Sequence, residues 1–446
     1  MKFPRRRRPL LVILAVALVA LVVWRRQQPY AIGQRLAKLR AVGLPTTLTE
    51  LDTWYPAVPE KENAALLLIE AASSFRAGGD TNLPIVGYAK EPPRGRPWPP
   101  ELLVAAQAHL ASNQEGFEKL HAALRHPRSR YPTNPTLGIG PTAPMFPLKK
   151  ANTELALHAQ IAAETGQSAE AMQCLLDQVR LIRTMDGCPL LTSHLVQMAH
   201  EPIAAGSAER VFSRCAFSEA ELSSLQHAYT EAAGSLSYEN AMIGEICWNV
   251  DVLSRPAGEL ADLWPGVTGD TWQDHMRKAE AWLYGFSGMQ RRDLRIAIDY
   301  LDDLRVTAKL PPGQRLLAAN RLNAELDERL ARQFVPFTRS LLPTIGKVVG
   351  IDTHRYAILR CTESACAIER WRLAHGGSLP PSLSTLAPEY LAAVPEDPMD
   401  GKPLKLRPLV QGYVVYSIGE DGTDDGGKER TGGQSTGWDY TFTVAR

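Results

Sequence analysis

Apolar residues recur every three to four positions from Tyr30 to about Ala374, and only after Gly377 does the pattern change to short runs of β character. The first helical stretch, Tyr30 to Val42, closes at Gly43. A second, from about Lys61 to Phe75, places Ala64, Leu67, Leu68 and Ala71 on one face. Residues 77–100 then carry Gly78-Gly79, Pro84, Pro92-Pro93, Gly95, Pro97 and Pro99-Pro100, which forbid regular structure. Helical spacing returns over Glu101–Leu124, and a second Pro/Gly-rich stretch, 127–147, follows it. Two long connections inside a compact domain are unusual, and they are either functional or unstructured.

From Leu148 to about Thr307 the pattern is almost wholly helical. Its clearest unit, Asn152 to Met185, predicts helix, turn at Gly166 and helix, with apolar positions Leu155, Ala156, Ala159, Ala162 and Ala163, then Ala169, Ala171, Met172, Leu175, Val179 and Ile182. The small-residue run Ala163-Glu164-Thr165-Gly166-Gln167-Ser168-Ala169-Glu170-Ala171 makes this hairpin resemble a tetratricopeptide unit. A second copy is missing, so the expected architecture is an irregular helical array. Further helices are expected at 189–213, 218–235, 236–255, 272–287, 289–307, 313–333 and 353–374, with a looser stretch at 256–270. Past His375-Gly376-Gly377 the prolines crowd together, and Leu404–Leu406, Gly412–Ile418 and Tyr440–Val444 read as strands of a small α+β domain.

The start of the chain stands apart. Arg5 to Arg8 precede an apolar run, Leu10–Trp24, which Arg25 and Arg26 follow. Basic flanks stay on the cytoplasmic side, so the stronger upstream cluster predicts an inner-membrane anchor of a bacterium, with the N-terminus inside and the body periplasmic. The run spans roughly 22 Å against about 30 Å of hydrocarbon, a length that also suits a cleaved signal peptide. Val23-Trp24-Arg25-Arg26-Gln27-Gln28-Pro29 offers no small-residue cleavage site, which favours the uncleaved anchor. The divisions expected are 1–28, basic stub and anchor; 29–350, helical domain; and 351–446, α+β domain.

Composition adds exclusions. The 446 residues are 45% hydrophobic and 22% charged, as in a folded globular chain, and a net charge of +1 leaves no basic surplus for a nucleic-acid surface. Six cysteines lack a disulfide framework; Cys174 and Cys188 bracket a predicted helix end, and small buried thiols are the simpler reading. There is no H-E-x-x-H, C-x-x-C, G-x-S-x-G or phosphate-binding glycine loop. His194 and His200 are six apart, wrong for a shared metal on one helix face. Asp299, Asp302 and Asp303 lie near Arg295 and Arg305 and read as a solvated, salt-bridged face. Trp248, Trp264, Trp272, Trp282, Tyr284 and Phe286 crowd one region, where core packing is the expectation and a pocket the alternative.

One constellation carries chemistry. Tyr416-Ser417-Ile418-Gly419-Glu420-Asp421-Gly422-Thr423-Asp424-Asp425-Gly426-Gly427 is a glycine-rich acidic loop, and Asp439 lies downstream. Hard cations take several oxygen ligands, which such a loop can supply, although the spacing is not that of an EF-hand. From residues alone a solvated acidic turn is the simpler reading. The stretch from Leu373 onward resembles the C-terminal domain of the major pseudopilin of type II secretion. The likeness lies in His375-Gly376-Gly377-Ser378-Leu379-Pro380, the stretch Ser382–Tyr390, Val394-Pro395-Glu396-Asp397-Pro398, Gly401-Lys402-Pro403 and Tyr416-Ser417-Ile418-Gly419-x-Asp421-Gly422. It implies a calcium loop with Asp421, Asp425 and Asp439 as ligands and Asp424 as a further candidate. It covers about 75 residues of 446. The pseudopilin N-terminus, with its cleavage motif and a glutamate inside the apolar helix, has no counterpart here: Leu10–Trp24 contains no glutamate. The upstream helices resemble membrane-anchored proteins of planctomycete-type bacteria. The function expected is a non-enzymatic, membrane-anchored scaffold or binding protein with a calcium-stabilised C-terminal domain and a protein partner. The alternative is an extracytoplasmic enzyme with a pocket between helices near residues 248–286.

Overall fold

The computed structural model describes residues 30–76, 82–133, 145–235, 237–261, 271–431 and 436–446. The expected anchor, Leu10–Trp24, lies outside them, as does Trp264. No helix among the described residues is long and apolar enough to cross a membrane.

The described chain is mainly helical and ends in a small antiparallel sheet. After α1 (residues 30–41) come α2 (Leu48–Trp54), α3 (Ala64–Ser74), α4 (Pro100–Ser112), α5 (Gln114–Leu124), α6 (Phe146–Glu164), α7 (Ser168–Arg183), α8 (Leu191–Phe212) and α9 (Glu219–Ala233). They are followed by α10 (Ser237–Val252), α11 (Ala257–Leu260), α12 (Trp272–Ser287), α13 (Met289–Thr307), α14 (Pro312–Arg332), α15 (Pro336–Gly346) and α16 (Val348–Ala374). The strands are β1 (Lys405–Pro408), β2 (Tyr413–Ser417) and β3 (Tyr440–Val444), in that order across the sheet.

Local chemistry explains the boundaries. The Gly166 turn between α6 and α7 has φ +77°, a conformation glycine adopts without steric cost, so the expected hairpin forms. The single helix expected over 101–124 is instead two, because buried Asn113 interrupts it. Its amide accepts from the Arg76 backbone N–H at 2.8 Å and donates to the His109 carbonyl at 3.1 Å. α3 begins at Ala64 rather than Lys61, since the Asn63 side chain caps it by accepting from Ala65 N–H. α9 and α12 both start in capping boxes, Ser218 with Glu221 and Thr271 with Asp274. α2 was not apparent from periodicity; it is only seven residues long.

Contacts divide the chain into two compact units: residues 1–54, 242–305 and 321–346, and residues 55–241, 306–320 and 347–446. The first unit contains the expected salt-bridged face of α13, where Asp302 pairs with Arg305 at 2.7 Å and Asp299 with Arg35 of α1. It also shows that the aromatic cluster is not one packed core. Tyr284 is buried and donates to Asp293 at 2.7 Å, but Trp272 and Trp282 are 77% and 58% exposed. Periodicity could not separate them: all three sit on α12, and only its neighbours decide which face is covered.

The main core of the second unit includes the C-terminal sheet, and a smaller cluster gathers Leu83, Trp98, Ala106, Leu157 and Ile161. Leu148, Leu155, Leu175, Phe212 and Leu225 share a cluster with Leu359, Ile368, Tyr413, Val415, Phe442 and Val444. Residues 351–446 therefore bury their apolar face against upstream helices and have no separate core. β2 is buried throughout, while β1 carries Lys405, Arg407 and Pro408, residues that discourage edge pairing. The free edge of β3 is closed by α8: Thr443 N–H donates to Glu209 at 2.6 Å and Ala445 N–H to the Ser213 hydroxyl at 3.0 Å. Arg446 then bonds the Cys215 carbonyl and the Glu369 carboxylate. All six cysteines are buried and unpaired.

Candidate functional site

The acidic loop leaves β2 under the control of Asp397. This buried carboxylate accepts from the Ser417 hydroxyl at 2.7 Å, from Ile418 N–H at 2.8 Å and from its own turn at Met399 N–H, 2.9 Å. Burial pushes its pKa up against those three donors. The Glu396-Asp397-Pro398 segment is thus the brace of the loop, a role that spacing did not reveal because the partners are 20 residues away. Gly419 lets the loop pass close to the 437–439 segment, since a Cβ there would stand 2.2 Å from the Trp438 carbonyl oxygen. Glu420 ties the loop to α16, accepting from Tyr440 Oη at 3.0 Å and pairing with His354 Nε2 at 2.9 Å.

The four predicted ligands divide into two pairs. Asp421 accepts from Thr423 and Gly437 N–H, each at 3.0 Å, which holds its carboxyl below the usual range. Asp424 is held low chiefly by Lys405, 2.9 Å away, and also accepts from Gly426 N–H at 3.0 Å. Asp425 and Asp439 come together: Asp439 accepts from Asp425 N–H at 3.4 Å and from Gly427 N–H at 2.7 Å. Burial pushes the Asp439 carboxyl up, and the Asp425 and Asp424 charges add to the rise. The Oδ2 atom of Asp425 is buried without a hydrogen-bond partner. No group of three or more metal-ligating side chains converges among the described residues. The donor chemistry suits a hard cation near Asp425, whose Oδ2 is orphaned and whose backbone N–H reaches the Asp439 carboxylate. Asp421 and Asp424 are engaged with backbone amides and Lys405.

A second constellation was not singled out from sequence. Ser193, His194, Gln197 and Glu201 are buried along α8; His194 and Glu201 meet the buried Asp352 and Arg355 of α16, and Gln197 donates to Asp186 at 2.5 Å. Arg355 donates to Glu201 at 2.7 Å and to the Ala232 carbonyl at 2.7 Å, while Arg315 stands 3.7 Å from Asp352. Burial raises Glu201 against the pull of Arg355. Burial would also raise Asp352, but His194, Arg355 and Arg315 outweigh it and hold the carboxyl low. His194 Nδ1 lies 2.9 Å from Ser237 Oγ and Nε2 lies 3.3 Å from Asp352. Serine, histidine and aspartate stand in the order of a nucleophilic relay, but His194 Nε2 and Asp352 Oδ1 make no hydrogen bond. Ser237 is 1% exposed, however, so its hydroxyl has no face open to a substrate in this conformation. The array joins α8, α10 and α16. Its only sequence signal is polar residues at four-residue spacing, 193, 197 and 201, on a helix otherwise rich in apolar and small residues.

The chain matches no protein-family model, no curated protein and no solved structure.

Proposed function

We propose that this chain is a membrane-anchored extracytoplasmic binding protein, a scaffold whose second unit presents the loop 419–431 on a rigid helical support. The observation that carries this reading is the way the sheet is built in. Glu209 and Ser213 close the edge of β3, Asp397 braces the end of β2, and Glu420 ties the exposed loop to α16. A surface loop held from three sides is preorganised for recognition, which lowers the entropy cost of binding. Calcium fits the same reading. Asp425 and Asp439 would hold it, the cation relieving the repulsion that their proximity creates, and Asp421 and Asp424 would join only by exchanging their present partners. The resemblance to the pseudopilin C-terminal domain supports the loop assignment, and the periplasmic face follows from the charge asymmetry around Leu10–Trp24.

A photo-crosslinking residue in place of exposed Thr423, used in native membranes, tests the proposal. A discrete protein adduct that fades on chelation is expected. Chelation should also lower the unfolding midpoint of the full chain, an effect absent in Asp439→Asn. No adduct, with or without calcium, would count against a binding role. An adduct and a midpoint that ignore chelation would remove calcium from it.

A further inference from the structure

We infer that α12 is an interfacial helix whose outer face rests on the lipid surface of the membrane holding the anchor; this rests on the anchor reading. At 100° per residue Trp272, Met276, Ala279 and Leu283 form one stripe, with Trp282 at its flank. Trp272, Met276, Trp282 and Leu283 are 77%, 50%, 58% and 69% exposed. Four large apolar side chains on one face of a 16-residue helix are far from a scatter of single exposed residues. The opposite face is firmly seated: Ala281 and Tyr284 are buried, and Tyr284 donates to Asp293 at 2.7 Å. Asp293 in turn accepts from Phe337 and Thr338 N–H at 3.1 and 3.0 Å, so α12, α13 and α15 are fixed to one another. The stripe is therefore held outward by a satisfied inner face.

The occupant follows from where this unit begins. α1 starts at Tyr30, six residues beyond Trp24, the end of the apolar run. Six residues extend to roughly 20 Å at most, so an anchor at Leu10–Trp24 keeps α1 beside the bilayer. α1 is in the same compact unit as α12 and is fastened to α13 through Arg35 and Asp299. Tryptophan favours the headgroup level, where its ring is half in hydrocarbon and its N–H meets water. Arg291 is exposed just beyond α12, placed for anionic headgroups; Glu280 is the one acidic residue near the stripe. A helix of this kind sinks its apolar face about 5–10 Å into the boundary between headgroups and acyl chains.

The test uses the full chain in vesicles of phosphatidylcholine and phosphatidylglycerol. An environment-sensitive fluorophore is attached at Leu283→Cys and, as a control, at Val104→Cys, which is exposed on α4. The six native cysteines are buried, and labelled wild-type chain measures their background. The Leu283→Cys label should shift to the blue and lose intensity with a headgroup-region nitroxide lipid, while the Val104→Cys label changes in neither respect. Alkaline carbonate extraction of the same vesicles reads the anchor separately. Release by carbonate overturns the anchor and with it the basis of this inference. A chain that stays embedded while its Leu283→Cys label remains in water overturns the interfacial helix alone. A blue shift already present in detergent and accompanied by doubled particle mass assigns the face to a second copy and also overturns it.

Discussion

Arg355 shows what a single residue does here. Its guanidinium is buried between Glu201, Asp352 and the Ala232 carbonyl, so it neutralises two carboxylates and satisfies the end of α9. Replacing it by Met leaves buried charge uncompensated, and Arg355→Met is expected to cost about 3–5 kcal/mol, read as a fall in the unfolding midpoint. Adding Glu201→Leu should restore part of the loss, because it removes the orphaned carboxylate; a double variant less stable than the single one would refute the pairing. His200 is a different case. Burial pushes its imidazole down to about 4 from the ordinary 6.5. Between those values the unfolded chain takes up a proton that the folded chain refuses, so this residue's contribution to stability is lost as pH falls from 6.5 to 4. Midpoints measured across that window should fall less in His200→Leu than in the wild type. Glu201 and Glu209, each pushed up to about 7 by burial, act in the opposite sense, losing stability as pH rises from 4.5 to 7. Only the difference between variant and wild type isolates the histidine.

Among the elements, α8 has the widest duties. One of its faces supplies Ser193, His194, Gln197 and Glu201 to the buried polar array, and near its end Glu209 closes the sheet. Pro202 removes the N–H that would reach the Met198 carbonyl, and Asn152 separately donates to the His200 carbonyl at 3.0 Å. Glu209→Ala would leave the Thr443 N–H without an acceptor and Arg94 with one fewer carboxylate. The expected cost is about 1–3 kcal/mol, concentrated in β3. Hydrogen exchange should show the amides of Tyr440–Val444 losing protection before those of β2; unchanged exchange there would mean that the strand does not depend on α8. Helix edges were readable at Gly43, Ser218 and Gly377, where a cap or glycine marks them, but not at Asn63, whose cap starts α3 three residues later than expected. They were misread where a tertiary contact broke a good pattern, as at Asn113.

For the whole molecule, the two units and the proposed anchor set the frame. A reporter fused after Arg446 should be active only if it requires an exported environment, as an N-in, C-out anchor demands; cytoplasmic activity would reverse the assignment. The C-terminal segment cannot be treated as a detachable module, because Tyr413, Phe442 and Val444 share the core of residues 55–241. A fragment starting in α16 would expose that surface, so calcium effects belong to measurements on the full chain.

By itself the amino-acid sequence determined the mainly helical character of the described residues up to Ala374, the hairpin at Gly166 and the three terminal strands. These follow from periodicity and turn chemistry, which act over a few residues. It also marked the acidic loop, since four aspartates and seven glycines within 24 residues, 416–439, are visible as composition. Only the tertiary structure decided that Asp425 and Asp439 meet while Asp421 and Asp424 turn to other partners. The same holds for Asp397 bracing a loop 20 residues downstream, and for Trp272 facing outward from a helix that buries Tyr284. Each of these depends on which distant backbone or carboxylate arrives at the side chain. That arrival is set by packing among elements far apart in sequence, and no local pattern encodes it.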